Sequence, residues 1–265
     1  MSLTHDLTGR TALVTGASQG IGFATAMALA EAGASTAILA RRYDLLLEAK
    51  EKLAARTTAE IVAIPGDVGE DSCPEMAIQQ VEDELGRVDI LVNNAGGPPA
   101  KEFMKTTASD WNHALTQNLL SMIRFCQAAV PRMKEQGWGR IINIASTSAK
   151  EPLRGMVLSN AARAAVIAVS KTMALELSCC GITTNTICPG PTHTDRAEEL
   201  IKGRVEKESM SYEEVVASIV SNVPVGRMAE PAEIASAAAF LASDAAQYVS
   251  GVVLAVDGGL TRSLY

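Results

Sequence analysis

Thr11-Ala12-Leu13-Val14-Thr15-Gly16-Ala17-Ser18-Gln19-Gly20-Ile21-Gly22 is the stretch on which the fold turns. Five residues with strand character run into three glycines, and a helix-period stretch carries on to Glu31. Each glycine answers a different need: Gly16 permits a tight turn off the strand, Gly20 lets a ligand come close to the backbone, and Gly22 lets the helix sit against the sheet. A helix that begins here offers unpaired N–H groups and the positive end of its dipole. That combination suits a diphosphate. The strand before and the helix after separate it from an ordinary turn.

Outward from this turn the same rhythm repeats. Strands are expected at Thr11–Thr15, Thr36–Ala40, Ile61–Pro65, Ile90–Asn93, Arg140–Ala145, Thr183–Cys188 and Val252–Val256. Helical patterns are expected at Gly20–Glu31, Tyr43–Ala55, Cys73–Leu85, Ser109–Glu135, Leu158–Ser178 and Pro231–Ala242. The strand runs are almost wholly apolar, as in a parallel sheet covered on both faces. The expected fold class is therefore α/β: a Rossmann-like, doubly wound parallel sheet of seven strands with helices on both faces. No repeat, low-complexity stretch or Pro/Gly-rich linker interrupts the chain, so residues 1–265 read as one domain. The charged segment Arg196–Ser221 breaks the rhythm. It is expected to form a helical lid at the carboxyl ends of the strands, where such sheets bind ligands. A solvated helical hairpin is the alternative.

Composition narrows the function classes. The chain has 265 residues, 48% of them hydrophobic, enough for a large core. A formal charge of −7 argues against a nucleic-acid partner. No apolar run reaches the roughly 18 residues of a membrane helix. The polar opening Met1–Asp6 carries no signal-peptide pattern, so a cytoplasmic setting is expected. Cys73, Cys126, Cys179, Cys180 and Cys188 fit no zinc spacing and read as reduced thiols. No His/Cys/Asp/Glu cluster has metal spacing, so no metal is expected.

The spacing Thr15-Gly16-x-x-x-Gly20-x-Gly22 resembles the cofactor motif of the short-chain dehydrogenase/reductase family. Further matches are Asp67-Val68 after the third strand, Asn93-Asn94-Ala95-Gly96 after the fourth, Asn118 in the long helix and Ser146 after the fifth. Pro189-Gly190 with Thr192 and Thr194 follow the sixth, and Asp257-Gly258-Gly259 closes the pattern. The resemblance covers nearly the whole chain. It is similar to 3-oxoacyl-acyl-carrier-protein reductases in particular. It implies hydride transfer between a nicotinamide cofactor and a carbonyl or alcohol substrate. It also implies cofactor contacts from Gly16, Ser18, Gln19, Gly20, Ile21, Gly22, Asp67, Val68, Asn94, Ala95, Gly96, Pro189, Gly190, Thr192 and Thr194. Relatives assemble through their C-terminal region and two long helices, so a homotetramer is expected, with a dimer as runner-up.

The second strand decides between the two dinucleotides. An acidic residue at its end would bind the ribose 2′-hydroxyl of NAD(H). Here Ala40 is followed by Arg41-Arg42. No carboxylate repels a 2′-phosphate, and guanidinium groups pair with one bidentately. NADP(H) is the expected cofactor, with NAD(H) possible; Arg41 is the first candidate contact and Arg42 the second.

The proton half of the site departs from the family. The resemblance implies a Ser, a Tyr and a Lys acting with an Asn, and Asn118 and Ser146 match. The Tyr-x-x-x-Lys window, thirteen residues past the serine, reads Ser159-Asn160-Ala161-Ala162-Arg163. No other frame restores the motif, because no Tyr lies between Tyr43 and Tyr212. An aliphatic hydroxyl is a far weaker acid than a phenol, and a guanidinium does not shuttle protons. Arg163 can still hold a ribose hydroxyl and supply charge.

Three readings stay open. Lys150, four residues past Ser146, can replace the acid if desolvation near Arg163 lowers its pKa; an exposed loop lysine is the alternative. Ser159 and water can relay the proton. Or the fold binds NADP(H) without turnover, as a sensor or assembly subunit. His193 and Asp195 read as exposed loop contacts, and Trp111 and Trp138 as packing. Specificity is expected from Gly97–Phe103, Thr147–Leu158 and Arg196–Ser221, which carry no cluster of basic residues. A medium-sized, partly apolar carbonyl compound or alcohol is the expected substrate.

Overall fold

The computed structural model describes residues 5–264. The first four residues of the polar opening lie outside them. The seven strands are β1 (Thr11–Thr15), β2 (Ser35–Ala40), β3 (Ile61–Pro65), β4 (Ile90–Asn93), β5 (Gly139–Ile144), β6 (Ile182–Pro189) and β7 (Val253–Val256). They form one parallel sheet in the order β3-β2-β1-β4-β5-β6-β7. The order reverses direction between β1 and β4, and a crevice opens there at the carboxyl ends of the strands. Register is specific: Val14 lies opposite Ile38 on one side and Val92 on the other.

Helices cover both faces. On one, α1 (Gly20–Glu31) and α9 (Pro231–Ala242) pack with the sheet around Leu29, Ile38, Val92 and Ile234. On the other, α3 (Cys73–Leu85), α5 (Ser121–Gln136) and α6 (Val157–Leu177) bury Ile78, Phe125 and Val166 against Leu13, Leu91 and Ile141. Helix α2 (Tyr43–Ala54) flanks β2 and β3. Strands β1, β2, β4, β5 and β6 are buried along nearly their whole length, which is why they read as continuous apolar runs, while the edge strands β3 and β7 are partly exposed.

The expected long helix Ser109–Glu135 requires a correction. It is α4 (Ala108–Leu115) and α5, joined by a wide π turn over Thr116–Leu120. One extra residue per turn does not disturb the apolar count of a long window, so periodicity misses it. Such turns recur at functional sites, and this one carries Asn118. Ser146 follows the fifth strand as expected, although β5 ends at Ile144, one residue earlier than Ala145. Ser146 caps a one-turn 3-10 helix, Thr147–Ala149.

The Arg196–Ser221 segment forms α7 (Asp195–Glu208) and α8 (Tyr212–Val220). They meet over a small apolar cluster of their own, centred on Ile201, Val215 and Met228. Among the described residues no helix is long and apolar enough to cross a membrane.

Candidate active site

The turn after β1 has the shape its glycines require. Gly16 and Gly20 both have φ of +60°, a conformation that L side chains rarely adopt. A Cβ on Gly22 would lie 2.3 Å from the Gly16 carbonyl oxygen, and one on Gly16 would lie 2.6 Å from the Asn94 carbonyl oxygen. The turn is stitched to the loop after β4. Thr15 Oγ1 donates to the Asn94 carbonyl (2.8 Å) and accepts from the Asn94 N–H (2.9 Å), while Asn94 Nδ2 donates to the Gly16 carbonyl at 3.1 Å. Asn94 therefore pins the start of the glycine turn that leads into α1.

Two cavities meet at Gly16, Asn94, Ala95 and Gly96. The first, about 200 Å³, runs past Ser18, Ala40, Arg41, Arg42, Val68 and Asn118. The second, about 240 Å³, is bounded by Gln19, Gly20, Ile21, Ala145, Arg163, Thr194 and Arg196. Together they form a trough across the sheet's switch point.

Charge is sorted along this trough. At the β2 end, Arg42 donates to the side-chain oxygen of Gln19 in the glycine turn. Arg41 lies 3.7 Å from Asp67, with the two side chains 68% and 30% exposed. Burial pushes the Asp67 carboxyl up, but hydrogen bonds from Gln117 and the Gly69 N–H, with the Arg41 charge, hold it below the usual carboxylate range. At the other end, Thr194 caps α7 by accepting from the Ala197 N–H (3.2 Å), and its methyl group would lie 3.3 Å from a Cβ on Gly20. Thr192 Oγ1 donates to the Gly190 carbonyl at 3.0 Å; a Cβ on Gly190 would lie 2.8 Å from the Asp257 Cα. Pro189 ends β6 beside them.

Of the residues expected to do chemistry, Asn118 lines the first cavity and Arg163 the second. Arg163 is buried on α6. Its Nη1 donates to the Ile144 carbonyl (2.6 Å) and its Nη2 to the Ala95 carbonyl (2.8 Å). Burial brings the guanidinium down to about 10, so it stays charged at neutral pH. Arg163 thus ties the ends of β4 and β5 together, a duty the sequence does not announce.

Asn118 is 3% exposed; Nδ2 donates to the Ala114 carbonyl at 3.0 Å, and Oδ1 has no partner among the described residues. Ser146 Oγ accepts from the Ser148 N–H at 3.1 Å. Ser159 is buried, with Oγ 3.5 Å from Ser148 Oγ. Lys150 closes the 3-10 turn and is partly buried. Its charge reaches the buried Cys188 thiol: burial pushes that thiol up, while the Ser146 N–H, Lys150 and Arg163 pull it down. Arg163 and Ser146 meet at the end of β5, where Arg163 holds the Ile144 carbonyl two residues before Ser146.

Sequence reasoning missed several contributors. Ser148 touches Ser159, Gln117 holds Asp67 at 2.9 Å, and His113 lines the first cavity. Arg196 lines the second and donates to the Pro98 carbonyl at 3.3 Å. Ser148 and Arg196 lay within the segments expected to set specificity, whereas Gln117 and His113 carried no signal. Among the described residues no group of His, Cys, Asp or Glu could hold a metal, and all five cysteines are free thiols.

A switch-point trough floored by helix N–H groups and flanked by arginines defines a dinucleotide-binding protein of the doubly wound class. The family follows from comparison. Residues 16–261 match the family model described as enoyl-(acyl carrier protein) reductase. The chain is 34% identical to the NADPH-dependent reductase BacG of Bacillus subtilis over 256 residues, 96% of this chain and 99% of that protein. It is 35% identical to the 3-oxoacyl-(acyl-carrier-protein) reductase FabG of Vibrio harveyi over 260 residues, 96% of this chain and 98% of that one. Among solved structures, L-sorbose reductase from Gluconobacter frateurii, complexed with NADPH and L-sorbose, superimposes with a TM-score of 0.94 at 30% identity, covering 98% of this chain and 100% of that one. The chain belongs to the short-chain dehydrogenase/reductase family.

Proposed function

We propose that the protein is an NADP(H)-dependent oxidoreductase that interconverts a carbonyl and an alcohol, with Lys150 in place of the family's tyrosine as proton donor. The observation that carries this reading is the trough: a glycine turn with no room for a Cβ, an α1 N-terminus beneath it, and Arg41 and Arg42 where a 2′-phosphate would lie. Relatives named as NADPH-dependent, BacG among them, support the cofactor. When bound, NADP(H) would supply or accept the hydride.

The chain's own residues do the rest. N–H groups at Gln19 to Gly22 would hold the diphosphate, Asp67 and Val68 would contact the adenine, and Asn94 to Gly96 with Gly190 to Thr194 would wall the nicotinamide side. Ser146 Oγ holds the substrate oxygen. Lys150 delivers or removes the proton, with Ser159 and Ser148 as hydroxyls on the route. Arg163 fixes the β4 and β5 ends and keeps positive charge at the site. Asn118, with an unpartnered buried oxygen, holds a water-linked path. The substrate is a medium-sized, partly apolar compound, consistent with exposed Phe103, Met104 and Leu153 on the loops after β4 and β5.

In this reading residues 1–265 act as one domain, and 196–221 is its lid, tied to the site by Arg196 and Pro98. Free thiols suit a cytoplasmic setting. The apolar groove between α5 and α6, about 580 Å³ and lined by Ile123, Val130, Val169 and Met173, suits subunit contact in a homotetramer.

The test is NADPH oxidation over a panel of ketones and aldehydes, with Ser146→Ala and Lys150→Ala alongside. Both variants should keep NADPH affinity and lose at least tenfold in kcat. Unchanged turnover in both would overturn the assigned roles. Tight NADPH binding with no turnover on any substrate would favour a silent sensor or assembly subunit.

A further inference from the structure

The turn that follows Ser146 is wound by its own backbone. The Ala149 N–H donates to the Ser146 carbonyl at 3.0 Å, and the N–H groups of Lys150 and Glu151 donate to the Thr147 carbonyl at 2.9 and 3.0 Å. These bonds fix the turn's internal shape, and buried Thr147 and Ser148, the latter 3.5 Å from Ser159 Oγ, seat its start, while Lys150 and Glu151 lie at its outer end. On its α6 side, Asn160 holds the main chain of Leu153: Nδ2 donates to the carbonyl at 2.9 Å and Oδ1 accepts from the N–H at 3.3 Å. On the other side the tie comes from the C-terminal tail. Glu151 Oε1 accepts from the N–H groups of Arg262 (2.6 Å) and Ser263 (2.9 Å), more than a hundred residues away in sequence.

The tail is itself built to present those two N–H groups. After β7, the Asp257 carboxylate accepts from the Gly259 N–H at 3.0 Å and the Thr261 N–H at 2.9 Å. The Val225 N–H donates to the Gly258 carbonyl at 3.2 Å, and a Cβ on Gly258 would lie 2.8 Å from the Val223 side chain. The tail therefore leans on the segment just beyond the lid helix α8. A carboxylate that accepts two main-chain N–H bonds makes a strong, directional link, and here it joins the lid's base to the Lys150 turn.

We infer that Glu151 is a positioning residue: its carboxylate, by gripping the Arg262 and Ser263 amides, sets the end of the turn that follows Ser146 and carries Lys150. This rests on the proposed role of Lys150. Residues held within about half an ångström by supporting bonds are what proton transfer requires, and Glu151 supplies that support from outside the site.

The test compares full-length wild type, Glu151→Ala, Glu151→Gln, Arg262→Pro and Lys150→Ala on one carbonyl substrate, measuring kcat, KM, NADPH Kd and Tm. Proline removes the Arg262 donor without touching Glu151. Glu151→Ala and Arg262→Pro should each lower kcat about tenfold, with NADPH Kd and KM within twofold. Glu151→Gln, whose amide oxygen still accepts, should recover most of kcat. The double variant Glu151→Ala/Arg262→Pro should be no slower than either single one. Unchanged kcat in Glu151→Ala, or additive losses in the double variant, would overturn the inference. So would a kcat loss matched by equal losses in NADPH affinity and Tm, which marks a merely structural tie. If Lys150→Ala turns over at the wild-type rate, the proton-donor reading fails and the positioning role falls with it. If Lys150→Ala is slow while Glu151→Ala is normal, only the positioning role fails.

Discussion

Replacing Arg41 should change which dinucleotide binds more than how tightly the fold holds together. Arg41 lies 3.7 Å from Asp67, and its side chain is 68% exposed. An exposed ion pair is worth less than about 1 kcal/mol, so little is lost when Arg41 leaves Asp67 for a phosphate. A charge-assisted, bidentate guanidinium–phosphate contact is worth about 1.5–3 kcal/mol, and exposure puts this one in the lower part of that range. The net loss in Arg41→Ala is then about 1–2 kcal/mol, or roughly 5- to 30-fold in NADPH Kd. Arg42, bonded to Gln19 and lining the same cavity, keeps the loss from being total. Arg41→Asp adds like-charge repulsion and should cost about another tenfold. NADH has no 2′-phosphate, so its Kd should move less than twofold in Arg41→Ala. Fluorescence titration of both nucleotides at two salt concentrations measures the ratio directly, and raising salt should narrow it. An NADPH/NADH ratio unchanged in Arg41→Asp, or an equal weakening of both, would refute the assignment of this arginine to the phosphate.

Gly22→Ala should abolish measurable binding of either nucleotide, because its Cβ would stand 2.3 Å from the Gly16 carbonyl oxygen and force the turn open; a variant that folds and binds NADPH normally would contradict the close approach. Arg163→Met leaves the Ile144 and Ala95 carbonyls without their donor. At about 1–3 kcal/mol each, offset by relief of a buried charge, the cost is about 2–4 kcal/mol. By calorimetry, Tm should fall by roughly 5–15 °C. The Asp257 carboxyl is pushed up by burial but held below its usual range by hydrogen bonds from Thr261, Gly259 and Leu260. A carboxyl with a depressed folded value contributes stability that is present above its unfolded value, about 4, and is lost as pH falls through the lower folded one. Asp257→Asn should therefore flatten the acid side of the stability curve below about pH 4, and an unaltered acid limb would show that the turn does not depend on the charge.

The sheet was legible because both faces are covered: apolar runs such as Ile61–Pro65 and Ile90–Asn93 have no other use, and their ends fall where turn residues begin. The glycine turn was legible because glycine spacing records backbone constraints directly. The π turn at Asn118 was not, since one additional residue leaves the apolar pattern of a long helix nearly intact. In the site, residue identity could show that Ser159 and Arg163 stand where the resemblance implies Tyr and Lys, but not what those two residues touch. Arg163 spends its donors on carbonyls at the ends of two strands, Arg196 reaches Pro98, and Glu151 holds the tail. Each of these pairings joins segments far apart in sequence, and nothing in the local pattern of either partner records it.

The trough across the switch point is most directly tested by titrating the purified protein with NADPH and following nucleotide fluorescence. Saturable binding at one nucleotide per chain is expected, tighter for NADPH than for NADH and absent in Gly22→Ala. No affinity for either nucleotide, or full binding retained by Gly22→Ala, would contradict it.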